Sequence, residues 1–163
     1  MKKIILSFFA ITLLVSVCFS QSRKLPQIKV KTLENKNFDI SKLENDGNPI
    51  VISFWATWCK PCKKELNNIA DVYEDWQDET GVKVVAISID DSRSMSKVIP
   101  YVNASDWDYE VYLDSNKDLA RAMGVSTVPH TFLLNKNNEI VWQHKGYVDG
   151  DEIKLLKEIK KIR

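Results

Sequence analysis

Ile50-Val51-Ile52-Ser53-Phe54-Trp55-Ala56-Thr57-Trp58-Cys59-Lys60-Pro61-Cys62 is the stretch that decides the fold. From Ile50 to Trp55 almost every position is β-branched, aromatic or otherwise apolar, the pattern of a central strand covered on both faces. The strand ends at two cysteines separated only by Lys60 and Pro61. From Lys60 to about Asp78, Leu66, Ile69, Ala70, Tyr73 and Trp76 recur at three- and four-residue steps, which predicts one helix with a core-facing stripe, stopped by Gly81. Val82 to Ile89 reads as a second buried strand. A helix between two such strands implies a right-handed crossover in a mostly parallel sheet, so the class is α/β.

Outward from this unit the signals are shorter. Residues 21–27 form a lead-in in which Pro26 discourages regular structure, and Ile28 to Leu33 is a weak strand. Downstream, Asp91 and Ser92 are placed to cap a helix reaching Val102, and Tyr109 to Leu113 is a short strand. Ser115 to Met123 reads as a helix closed by Gly124. Thr131 to Leu134, a polar turn at Asn135 to Asn138, and Ile140 to His144 form a β-hairpin. The terminal helix, Asp151 to Ile162, is expected to turn Ile153, Leu155, Leu156 and Ile159 inward and its lysines outward. There is no repeat, low-complexity tract or linker, so residues 21–163 read as one domain.

Residues 1–20 read as a signal peptide: Lys2 and Lys3 supply a positive start, Ile4 to Phe19 is apolar, and small Ser20 closes the run. Cleavage after Ser20 is favoured over two alternatives, a retained membrane anchor and a lipidated Cys18. Removing the two lysines takes the net charge from +1 to −1, and nothing in the balance calls for nucleic acid or anionic lipid. Of 3 cysteines, export leaves Cys59 and Cys62. A bridge across so few residues constrains the unfolded chain least, so stability is a poor reason to place both cysteines there, and redox work is the better one.

The junction of strand and helix supplies the chemistry. Unpaired N–H groups and the dipole at a helix N-terminus favour negative charge, so Cys59 is expected to be exposed, to ionise readily and to attack as a thiolate. Cys62, one turn deeper, is then the resolving thiol that breaks the mixed disulfide. Lys60 lowers the Cys59 pKa by its charge and pushes the couple in the oxidising direction, while Pro61 stiffens the first turn. A zinc site is disfavoured because two cysteines with distant His130 and His144 do not supply four ligands, and no cofactor beyond the cysteine pair is expected.

Trp-Cys-Lys-Pro-Cys after a buried strand resembles the thioredoxin superfamily, and Gly124 to Leu134 is similar to the segment that carries that family's cis-proline. The likeness spans nearly all of residues 27–162. The extra helix and strand near 91–114, together with Cys62-Lys63-Lys64-Glu65, resemble the exported branch typified by the membrane-tethered or periplasmic reductases of cytochrome maturation and sporulation. The resemblance implies a thioredoxin fold with a central mixed sheet flanked by helices. It also implies that Pro129 is cis and that Val128 offers its backbone to an extended substrate segment. Cytoplasmic thioredoxins carry a buried acid where this chain has Ser53. Glu65, three residues after Cys62, is the candidate replacement as proton acceptor, with an ordinary helix-start acid as the alternative.

Trp55 is expected in the core and Trp58 at a surface that meets substrate. His130, beside a turn, reads as a polar surface residue. The function that follows is extracytoplasmic dithiol-disulfide exchange with protein substrates, weighted toward reduction, by a monomer that a membrane donor of electrons could recharge. Two alternatives use the same fold: a copper-binding chaperone, weakened by the cysteine spacing, and a peroxiredoxin-like peroxidase, weakened by the residues before Cys59.

Overall fold

The structure, a computed structural model, describes residues 23–163. The readings of residues 1–20 as a signal peptide, and of an anchor or a lipidated Cys18, lie outside the described residues. Among the described residues no helix is long and apolar enough to cross a membrane.

Strands β1 (Lys29–Thr32), β2 (Asn37–Asp39), β3 (Ile50–Trp55), β4 (Lys83–Ser88), β5 (Glu110–Leu113), β6 (His130–Leu134) and β7 (Ile140–Lys145) form one mixed sheet. Their order is β2-β1-β5-β4-β3-β6-β7. β3 runs parallel to β4, from Ile50 opposite Lys83 to Trp55 opposite Ser88, and antiparallel to β6, with Ser53 opposite Thr131. Both of its edges are therefore paired and all of its residues are buried, as an uninterrupted apolar run requires. Helices α1 (Lys60–Ala70) and α2 (Tyr73–Thr80) connect β3 to β4, and α3 (Val98–Ser105) and β5 form the expected insertion. α4 (Asp118–Ala122) precedes β6, and α5 (Asp151–Lys161) ends the chain, packed on α1 and α2.

The single helix expected from Lys60 to Asp78 is two. Val72, at φ −126° and ψ 8°, leaves helical geometry, and its N–H bonds to the Ile69 carbonyl instead of continuing the ladder. The break aims Tyr73 at β4, where its hydroxyl accepts the Val84 N–H at 3.0 Å; the pairing of β4 with β5 begins only at the next residue, Val85. Gly81 ends α2 at φ +67°, where a Cβ would be strained and would stand 2.8 Å from the Asn48 side chain, so glycine is favoured on both counts.

Two helices start later than expected. After a turn held by Asp91, whose carboxylate accepts the Arg93 N–H, Met95–Lys97 form a short 3-10 turn and α3 begins at Val98. A start near Asp91 would have put Pro100 in a helix interior; here it falls in the first turn, where its missing N–H is not needed. α4 begins at Asp118 because Lys117 adopts φ +58°, which lets the Asp114 carboxylate accept the Leu119 and Ala120 N–H groups. The hairpin of β6 and β7 is as expected, and β2 was not anticipated because three residues without an apolar run carry no strand signal.

Ile153 is the clearest error of register. It is 57% exposed, whereas Leu155 and Ile159, one turn apart, are buried, and Leu156 is half-buried. Two residues along a helix is about 200°, so Ile153 and Leu155 cannot both face inward. Leu155→Ala is expected to cost about 2–5 kcal/mol by opening a cavity, and Ile153→Ala less than about 0.5 kcal/mol. Urea denaturation of the two variants separates these outcomes.

Candidate active site

β3 delivers the chain into a turn fixed by the end of β4. The Thr57 N–H and hydroxyl donate to the Asp90 carboxylate at 2.8 and 2.6 Å, and Ser88 Oγ donates to it at 2.9 Å. Asp90 is 1% exposed, with both oxygens engaged. The Cys59 N–H then bonds to the Ala56 carbonyl at 3.0 Å, closing the turn directly before α1. Cys59 is the N-cap of α1: its Sγ accepts the Cys62 N–H at 3.3 Å. Pro61 sits in the first turn, where no backbone donor is required, and Lys60 and Pro61 are both exposed.

Cys59 and Cys62 are joined in a disulfide, with Cα atoms 5.3 Å apart. The expectation of an exposed Cys59 is corrected: it is 5% accessible, against 0% for Cys62. A sulfur that caps its own helix and is bonded to a fully buried partner is drawn toward the core. The order of access is retained, since Cys59 keeps some surface and Cys62 keeps none. Trp55 is wholly buried and edge-on to Trp107, and Trp58 is 61% exposed, both as expected.

Glu65 lies one helical turn beyond Cys62 and is buried. Its two oxygens are held from the sheet below, by the Ser53 hydroxyl at 3.0 Å and the Thr131 hydroxyl at 2.7 Å, residues that face each other across β3 and β6. No cation among the described residues pairs with it, and desolvation raises its pKa from 4.5 to about 7 against the opposing pull of the two hydroxyls. Ser53, noted in the sequence only for the acid it lacks, is thus a ligand of the acid supplied from α1. Thr131 was missed, because its partnership with Ser53 depends on a register between strands far apart in sequence.

The Val128–Pro129 peptide bond is cis. The Pro129 carbonyl accepts the Gly146 N–H at 2.8 Å, while the N–H and C=O of half-buried Val128 carry no hydrogen bond among the described residues. Trp58 and Val128 line the same surface cavity, of about 360 Å³, so the structure brings together two residues 70 positions apart. His130 departs from expectation: it is 1% exposed, stacked on Phe132 with Nε2 3.3 Å from Gln143, and its Nδ1 has no partner among the described residues. Desolvation lowers its pKa, which keeps the ring neutral near pH 7. The sequence cue was available, since His130 begins an apolar strand.

Comparison with known proteins agrees with this geometry. The model of the AhpC/TSA family matches residues 22–143. The sporulation thiol-disulfide oxidoreductase A of Bacillus subtilis is 30% identical over 126 residues, which cover 77% of this chain and 74% of that protein. The thiol-disulfide oxidoreductase ResA of Bacillus thuringiensis subsp. konkukian is 27% identical over 140 residues, covering 86% and 77%. Among solved structures, a thioredoxin-like protein from Porphyromonas gingivalis superposes with a TM-score of 0.76 at 48% identity, over 85% of this chain and 90% of that one. The chain belongs to the AhpC/TSA family and, within it, to the thioredoxin-fold thiol-disulfide oxidoreductases.

Proposed function

We propose that the chain reduces disulfides in proteins outside the cytoplasm, with Cys59 as nucleophile, Cys62 as resolving thiol and Glu65 as the proton acceptor for Cys62. The observation that carries this reading is the Cys59–Cys62 disulfide at the start of α1, one cysteine capping the helix and keeping some surface, the other fully buried. In the reduced protein, the N–H that bonds to Cys59 Sγ would stabilise its thiolate, and the exposed Lys60 adds positive charge nearby.

The thiolate attacks one sulfur of a substrate disulfide, forming a mixed disulfide and releasing the other substrate sulfur as a thiolate. Cys62 passes its proton to Glu65 and attacks Cys59 Sγ. The second substrate thiolate leaves, and the Cys59–Cys62 disulfide remains. Two electrons have moved to the substrate, and a dithiol donor, membrane-bound in this reading, restores the pair. Trp58 and Val128 hold the substrate, with the unspent Val128 backbone pairing to an extended segment beside Pro129. A carboxyl that titrates near 7 is well matched to taking and returning a proton at neutral pH.

Wild-type protein is expected to reduce insulin disulfides and Cys59→Ala to be inactive; unchanged turnover in the variant overturns the assignment. Peroxide consumed faster than disulfides would favour the peroxidase alternative. The copper reading would need Cu(I) binding that His130→Ala or His144→Ala abolishes. His130 and His144 are instead engaged with Gln143 and Asp151, and no three metal-ligating side chains cluster among the described residues.

Glu65 also ties stability to pH. Its folded pKa, about 7, lies above the ordinary 4.5 of the unfolded chain, so between these values the folded protein binds more protons. Stability is therefore highest below pH 4.5 as far as this group is concerned, and falls as pH rises through 7, by on the order of 3 kcal/mol. Glu65→Gln is expected to remove that decline in denaturation midpoints between pH 5 and 8. It should also slow resolution of the mixed disulfide by roughly a hundred-fold, seen as accumulation of the trapped species. A variant that keeps the wild-type pH slope and resolves at the wild-type rate contradicts both roles.

A further inference from the structure

The cavity shared by Trp58 and Val128 continues away from the cysteines to α4. Its floor is apolar, made by Ile89, Ala120 and Val125 with the two site residues, and its far rim carries Lys117 and Arg121. No carboxylate lines it. Lys117 is half-buried and makes no ion pair among the described residues. Asp91, whose carboxylate feels the Lys117 charge, is already held by Arg93. Arg121 is paired with Asp118 on its own helix, an exposed contact that a second carboxylate can share. The rim therefore holds one cation in excess. The volume, about 360 Å³, suits a few side chains of an extended segment better than a folded surface.

We infer that this groove selects protein segments in which an apolar residue lies beside the target cysteine and one or two carboxylates follow within a few positions. The inference rests on the oxidoreductase reading above, and adds a substrate class to it. The apolar side chain fills the floor next to Trp58, the segment pairs with the Val128 backbone, and the acidic side chain reaches Lys117 and Arg121. Lys117 is the N-cap of α4, at φ +58°, and lines the cavity beside Arg121.

Binding and redox activity are tested separately, so that failure of one is not read as failure of the other. Amide shifts of the oxidised protein are followed by NMR while two peptides with serine in place of the target cysteine are added, acetyl-Gly-Ser-Leu-Glu-Glu-amide and acetyl-Gly-Ser-Leu-Lys-Lys-amide. The acidic peptide is expected to bind about five-fold more tightly at low salt, with shifts at Lys117 and Val125 to Val128, and the preference is expected to vanish at high salt. In Lys117→Glu/Arg121→Glu the order of the peptides reverses, and in Lys117→Gln/Arg121→Gln they bind alike. Equal binding to wild type, shifts confined to another surface, or a preference that survives both double variants overturns the inference. Insulin reduction by wild type decides the oxidoreductase reading alone.

Discussion

The burial of β3 is the constraint on which the rest depends. Between β4 and β6 it has no free edge, and its faces are covered, so a polar side chain within it must find its partner inside the protein. Ser53 is that side chain. Its hydroxyl, with that of Thr131 on the neighbouring strand, makes the only side-chain hydrogen bonds to the Glu65 carboxylate among the described residues when α1 settles on the sheet. The strand that carries the chain to Cys59 thus also carries the floor of the acid one turn past Cys62. A shift of one residue in the pairing of β3 with β6 would point Thr131 away from Ser53 and leave a buried carboxyl half-satisfied.

Helix α1 is held from several directions, which suits a segment whose first turn has to present a sulfur in one orientation. Asp90 anchors the preceding turn through Thr57. The insertion grips the body of the helix: Trp107 Nε1 donates to Asn67 at 2.8 Å, the Tyr109 hydroxyl donates to the Leu66 carbonyl at 2.9 Å, and Lys63 lies over the Tyr101 ring. Tyr101 and Trp107 in turn pack on Trp55, at the end of β3. On the other side Asn68 donates to the Tyr147 hydroxyl and Lys64 pairs with Asp149, tying the helix to the segment before α5. The insertion near 91–114 therefore braces the cysteine helix through aromatic packing as well as widening the sheet.

How much of this could be read from residues alone follows from the range of the interactions. β3, β4 and the hairpin of β6 and β7 were legible because burial on both faces, or strict turn chemistry, writes itself into consecutive residues. The division of α1 from α2 was not, since Leu66, Ile69, Tyr73 and Trp76 keep helical spacing across the break, and only the demand of Val84 for a hydrogen-bond partner reveals it. Pro100 could have corrected the start of α3, whereas the left-handed Lys117 that delays α4 leaves no such mark. At the site, the cysteines, Lys60 and Pro61 were expected from position, Trp58 from its aromatic character, and Val128 and Glu65 from family likeness. Thr131 and Asp90 act through contacts between distant strands and turns, and a single sequence does not record register.

The cost of Glu65 bears on why it is there. A buried carboxyl with two neutral donors and no cation is destabilising whenever it ionises, and its desolvation outweighs the hydroxyl contacts. Glutamine in its place could use the same two hydroxyls and would carry no such penalty, so packing gives no reason for an ionisable group. Position gives one: the acid stands on the face of α1 that follows Cys62, the sulfur that solvent does not reach. A sealed thiol has no water to take its proton, and in the proposed mechanism a neighbour that changes charge near neutrality is the acceptor. The strands beneath Glu65, β3 and β6, are buried at every position, the kind of core element that carries the highest local stability in a fold and can bear such a penalty.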